Sequence, residues 1–218
     1  MKTIIKSLLF AGVACVSLLA QAGEWQLEKD DAKTGIKVYT RVVEGSPLKE
    51  FKGVAKVDSS LMGIVALIDD RQVGPEWIQD NKLLETVEKP SATEVVSYMV
   101  TAAPWPVKDR DATVYSKMTQ DLESKEIHIA LQAVTDKRPE VKGRVRITEL
   151  KGFWHLKPID ANSTVVTYQV HANPAGSLPE WLINSLVVNM PYHTLKNMQT
   201  KVQEEKYQKT QLDTVRNF

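Results

Sequence analysis

One stretch near the C-terminus, Ser163 to Gln208, constrains the fold of this 218-residue chain more than any other. It opens as a strand, Ser163 to Ala172, with Val166, Tyr168 and Val170 on one face and Thr167, Gln169 and His171 on the other. A loop, Asn173-Pro174-Ala175-Gly176, leads to Ser177-Leu178-Pro179-Glu180. Here the Ser177 hydroxyl can cap a free N–H and the Glu180 carboxylate can reach back, with proline tolerated in the first turn. The helix that follows carries apolar residues through Met198, more of them than a single stripe requires, so it must be covered on most of its circumference. Pro191 cannot donate to the Val187 carbonyl, and a bend is expected there. Beyond Gln199 the helix turns polar. Such a helix fits as a lid across a curved sheet, and where the sheet curves away from it a pocket is left.

The N-terminus reads as a separate element. Lys2 and Lys6 precede an apolar run, Ser7 to Leu19, and Ala20-Gln21-Ala22 offers small residues for cleavage. Residues 1–22 are therefore expected to be a signal peptide and residues 23–218 one exported domain, periplasmic in a Gram-negative cell. Cys15, the only cysteine, lies in the leader, so the domain has neither a disulfide nor a thiolate metal site to stabilise it. Without Lys2 and Lys6 the 28 basic residues become 26, against 27 acidic. That balance gives no electrostatic case for nucleic acid.

Along the chain, Glu24 to Lys33 reads as a short amphipathic helix. Ile36 to Val43 and Phe51 to Val57 read as strands, and Leu61 to Ile68 as a helix capped by Asp58, Ser59 or Ser60. From Lys82 the apolar period is two for about ninety residues. Strands are expected at Leu83–Glu88, Glu94–Ala102, Ala112–Asp121, Lys125–Val134, Lys142–Leu150, Phe153–Pro158 and Ser163–Ala172, with Lys151-Gly152 among the turns. Short loops between consecutive strands make an antiparallel meander, and the whole is α+β with helices gathered on one face of a bent sheet.

No nucleophile elbow, phosphate-binding loop, H-E-x-x-H or dinucleotide fingerprint is present. Asp109 and Asp111, two apart on one segment, face the same way and cannot flank a substrate. His128, His155, His171 and His193 fall in different elements without metal-ligand spacing. No catalytic residue, metal or cofactor is expected.

Three segments resemble the START lipid-transfer domains, most closely the phosphatidylcholine-transfer branch. They are Pro104-Trp105-Pro106-Val107-Lys108-Asp109-Arg110-Asp111, Ile127-His128-Ile129-Ala130-Leu131, and Asn173 to Asn184, in family order and at family spacing. The resemblance implies a helix-grip fold: an antiparallel sheet of about nine strands wrapped around the long C-terminal helix, with one lipid or other hydrophobic molecule in the tunnel between them. It implies a mouth gated by Ala103 to Asp109 and by the helix, transient membrane contact, a monomer, and carriage in place of catalysis. Some related helix-grip proteins are cyclases or hydrolases that use the tunnel itself, and an interaction module with a filled core is the other alternative. Sterol-binding members carry a facing acidic residue and arginine at positions that count to Ser97 and Ser116 here. Both charges are replaced, so sterol specificity does not transfer. The tunnel and gate set expected on these grounds is Ser97, Met99, Thr101, Trp105, Arg110, Val114, Ser116, Met118, Trp154, Tyr168, Trp181, Leu186 and Met190. Arg110 with Asp111 has two readings, a headgroup-phosphate contact or a structural ion pair.

Overall fold

A period of two over ninety residues needs strands long enough to share one apolar face, and the chain supplies them. A computed structural model describes residues 23–46, 48–176 and 178–217. In it, β4 (Asn81–Ser91), β5 (Glu94–Thr101), β6 (Arg110–Gln120), β7 (Ile127–Ala133), β9 (Glu149–Asp160) and β10 (Ser163–Asn173) form the antiparallel meander. Strand β10 then pairs with β3 (Glu50–Val57), which continues through β2 (Ile36–Arg41) to β1 (Gln26–Asp31). The path β1-β2-β3-β10-β9-β7-β6-β5-β4 has nine strands, and β8 (Val145–Arg146) adds a short parallel bridge to β6.

Three expectations need correction. Residues 24–33 are not helical: Gln26–Asp31 is an edge strand whose ladder to β2 supplies the bonds that its polar sequence could equally have made within a helix. Lys151-Gly152 is not a turn, because β9 runs straight through it. A β-carbon on Gly152 would lie 2.3 Å from the Gln169 carbonyl oxygen, so glycine serves there for close strand approach. Lys142–Leu150 is not one strand: only Val145–Arg146 pairs, held beside β6 by the Val145 N–H to the Asp109 carbonyl at 2.9 Å.

Helix α1 (Leu61–Asp69) is capped by Ser60, whose hydroxyl accepts from the Gly63 N–H at 3.2 Å. A 3₁₀ turn, Arg71–Val73, leads into the short α2 (Gly74–Trp77). The closing helix has three parts: α3 (Glu180–Asn184), a π-helical turn (Ser185–Asn189) and α4 (Met190–Lys201). The irregularity expected at Pro191 takes the form of that π turn, in which the Met190 N–H reaches back to the Ser185 carbonyl. Ser177, expected as the cap, lies outside the described residues, and the helix starts at Glu180 after Pro179 with no side-chain cap. A last turn, α5 (Glu205–Gln208), follows.

The two halves of the closing helix pack differently. Leu195, Met198 and Val202 are fully buried against Ile36, Val38, Ile64 and Leu67, each worth roughly 1.5–3 kcal/mol. On the N-terminal half only Leu182 and Val187 are buried, with Val187 in a smaller cluster beside Phe51 and Val170. One end of the helix is therefore clamped to the sheet. The other end roofs a space.

Candidate functional site

Beneath α3 and the π turn lies a cavity of about 180 Å³, larger than the roughly 150 Å³ that accommodates benzene in an engineered core. Its roof is Leu182, Leu186, Val187 and Met190, and its floor comes from β3, β5, β6, β7, β9 and β10. Alternation on β5 and β6 aims Ser97, Met99 and Thr101, then Ala112, Val114 and Ser116, to this side.

An aromatic row runs along the floor. Trp77 meets Trp154 at 5.9 Å between ring centroids, Trp154 stacks on its cross-strand neighbour Tyr168 at 3.8 Å, and Tyr168 meets Phe51 edge-on at 5.1 Å. All four residues line the cavity. Burial alone drives the Tyr168 hydroxyl far above its ordinary pKa, so it stays protonated at any physiological pH.

Of the thirteen residues expected at tunnel or gate, ten line this cavity: Ser97, Met99, Thr101, Arg110, Val114, Ser116, Trp154, Tyr168, Leu186 and Met190. Three do not. Met118, two residues beyond Ser116, packs against the main core, where α1 and the segment after α4 fill the space. Trp181 is 58% exposed, because one residue along a helix is a turn of about 100° and its neighbour Leu182 takes the inward direction. Trp105 stands out from the β5–β6 loop, 92% exposed. The base of that loop is fixed by Asp109, which accepts from the Ala103 N–H at 3.1 Å and from Lys82 at 2.8 Å. Ala102 and Ala103, at the foot of the loop, line the cavity, as does Pro174 before the closing helix. Both exposed tryptophans thus belong to segments that border it.

Arg110 and Asp111 do not form the ion pair weighed from the sequence. Asp111, 1% exposed, accepts from Arg146 at 2.9 and 3.0 Å and from the Tyr98 hydroxyl at 2.7 Å. Burial pushes its carboxyl up, but the Arg146 and Tyr98 bonds outweigh that and hold it below the usual carboxylate range. Arg146 gives its other protons to the Arg138 and Pro139 carbonyls, which ties the β7–β8 loop to β6. Arg110 is 7% exposed and donates to the Lys108 carbonyl. Among the described residues it has no carboxylate partner within ion-pair distance.

Sequence reasoning missed Arg71 and Trp77 as cavity residues. Their local signal is slight: a polar residue just past α1, and a tryptophan after Gly74-Pro75. His155 bonds Glu126 at 2.9 Å, His171 bonds Ser46 at 2.8 Å, and His128 packs on Phe153. No cluster of histidine, cysteine and acidic residues fit to hold a metal occurs among the described residues.

A bent antiparallel sheet gripping a terminal helix over a mostly apolar hollow defines a helix-grip protein. The sequence profile of the START domain matches residues 15–208, and the chain belongs to that family. It is 35% identical to the Pseudomonas aeruginosa protein PA1579 over 91% of this chain and 96% of that one. With the mouse phosphatidylcholine transfer protein it shares 27% identity over 85% and 88% of the two chains. Among solved structures, a STAR-related lipid transfer protein from Xanthomonas axonopodis is 39% identical, with a TM-score of 0.74 over 83% of this chain and 99% of that one. Human STARD10, at 21% identity and a TM-score of 0.71 over 83% and 74%, supports the fold alone.

Proposed function

We propose that this protein encloses one lipid or similar hydrophobic molecule between the closing helix and the sheet, and carries it between membranes without transforming it. The observation that carries this reading is the hollow itself, walled by Leu182, Leu186, Met190, Val114 and the aromatic row. The mouse and Xanthomonas relatives, a phosphatidylcholine transfer protein and a STAR-related lipid transfer protein, point the same way.

The driving force is replacement of water around the acyl portion, roughly 0.8 kcal/mol for each buried CH₂. Sites for drug-sized ligands run to about 300–1,000 Å³. At about 180 Å³ the interior must widen for a full acyl chain. The movable part is the roof, where the π turn interrupts the helix just before the clamped α4, which carries Pro191 in its first turn. Trp105 and Trp181, exposed beside the cavity, are the groups to meet the membrane interface, where amphipathic rings partition. Residues 1–22, outside the described structure, act as a signal peptide in this reading, and the domain works as a periplasmic monomer.

The test is transfer of a fluorescent phospholipid or fatty acid between donor and acceptor vesicles by the purified domain. Transfer proportional to protein concentration is expected. A rate no greater than spontaneous exchange would overturn the reading, and fractionation that leaves the protein in the cytoplasm would overturn the export part.

A further inference from the structure

The buried residues of the closing helix do not keep one spacing. On α4, Pro191, Leu195 and Met198 are buried at intervals of four and three, the stripe of an ordinary α-helix, and Val187 extends it by four more. Continued in that register, the stripe would next reach Ile183, roughly 40° around the axis from Val187, and would leave Leu182 roughly 140° away on the outer side. The structure does the reverse. Leu182 is buried and lines the cavity, five residues before Val187, while Ile183 is partly exposed and lies outside the lining. The extra residue is taken up by the π turn, where the Met190 N–H skips the Leu186 carbonyl and bonds that of Ser185.

The sequence suits both registers. Trp181-Leu182-Ile183 and Leu186-Val187-Val188 are two apolar triplets five apart, so an apolar side chain faces the cavity whether the turn is π or α. This accounts for the apolar excess of the helix beyond what one stripe needs. Only one half of the helix is free to turn. Helix α4 is fixed by Leu195 against Gly53, by the Tyr192 hydroxyl, which donates to Asp31, and by Thr194, whose hydroxyl accepts from the Gln79 N–H at 3.1 Å. Helix α3 has no side-chain cap, and the chain approaches it through Ala175 and Gly176, both at positive φ.

Resting on the carrier reading above, we propose that the roof is a two-register device worked by the membrane. When the π turn becomes α, α3 turns by about 100° about its own axis, without swinging away from the sheet. Ile183 then takes the place of Leu182 in the cavity, and Leu182 takes the exposed place of Trp181. In water this exposes a leucine, and burying the rest of Ile183 returns only part of the loss, so the π register holds. Against a bilayer Leu182 is reburied among acyl chains, and the population moves to the α register. The seal over the cavity therefore turns where a guest is at hand.

Residues 23–218 contain no cysteine, so single thiols report each side of α3. Leu182→Cys and Ile183→Cys domains are labelled with N-ethylmaleimide, in buffer and with vesicles of palmitoyl-oleoyl phosphatidylcholine. Vesicles should speed labelling of the thiol at 182 by about tenfold and slow that at 183, the opposed change that a rotation requires. Faster labelling of both, the mark of a helix that swings out or unfolds, would overturn the switch and leave the carrier, as would no change in either. Deleting Asn189, an exposed residue of the π turn, removes the extra residue and locks Leu182 inward on an unbroken α-helix. That variant should melt no lower than the parent and transfer a fluorescent phosphatidylcholine between vesicles at least about tenfold more slowly. Transfer at the parent's rate would also overturn the proposal. If the deletion does not fold, the pair of labelling rates decides alone. Opposed labelling in a parent that moves no lipid would keep the switch and remove the carrier.

Discussion

Leu195 packs so closely over Gly53 that a β-carbon on the glycine would stand 2.7 Å from Leu195 Cδ1. Gly53 lies on β3 and Leu195, fully buried, on α4, so this contact sets how near the clamped half of the helix approaches the sheet. Gly53→Val should therefore lever the helix outward and destabilise the fold by about 1–3 kcal/mol, the range for overpacking a tight core. Thermal melting measures it. Combining it with Leu195→Ala should recover part of the loss, and strictly additive losses would show that the two residues do not press on each other.

Asp111 and Arg146 form the best-shielded ion pair among the described residues, with side chains 1% and 5% exposed. Removing one partner strands a buried charge. Arg146→Met should cost about 3–5 kcal/mol. Substituting both, Asp111→Asn with Arg146→Met, should cost less than the single change. A single-variant loss below about 1 kcal/mol in urea denaturation would mean water already screens the pair.

Several carboxyls held below their ordinary range make stability sensitive to acid, Asp31 and Asp111 among them. Asp31 is held at about 2, chiefly by the Tyr192 hydroxyl, which donates to it at 2.5 Å and links α4 to the edge strands. Asp111 is also held low. A group whose pKa is lower folded than unfolded favours the fold above its unfolded value, about 3.9 for aspartate, and gives that up as pH falls through the folded value. Stability should be level above about pH 5 and fall between roughly pH 4 and pH 2. Asp31→Asn should flatten the part of that fall nearest pH 2. An unchanged acid-unfolding curve in the variant would remove Asp31 as a contributor.

Trp105 touches little of the fold, so Trp105→Ala should leave the melting temperature unchanged. If its indole enters the membrane interface, losing about 1.5 kcal/mol of burial weakens vesicle binding roughly tenfold. Sedimentation with vesicles reads this directly. Equal binding by the variant would place the membrane contact elsewhere.

The parts of this molecule that read clearly in the sequence are those where burial follows a period. Ser97, Met99 and Thr101 alternate along β5 with Val114 and Ser116 beside them on β6, but it was the count from the START resemblance, and not the period alone, that pointed to this face as the one lining the cavity. Edge strand β1 was not legible, because Gln26 to Asp31 buries almost nothing and its Glu and Lys residues suit a helix equally well. Gly152 read as a turn because close packing against Gln169 leaves no local trace. The Arg110-Asp111 motif was visible but its partnership was not: Arg146, 35 residues away, takes the carboxylate and leaves the neighbouring arginine unpaired. Arg71 and Trp77 join the site only through tertiary folding of the turns after α1.

Whether the space under Leu186 and Met190 accepts a guest is best settled by native mass spectrometry of the domain after incubation with mixed bacterial lipids. The expected spectrum shows one lipid mass added to each chain, removed by organic extraction and restored on re-exposure. A spectrum of bare chain alone, with every lipid class on offer, would contradict the account.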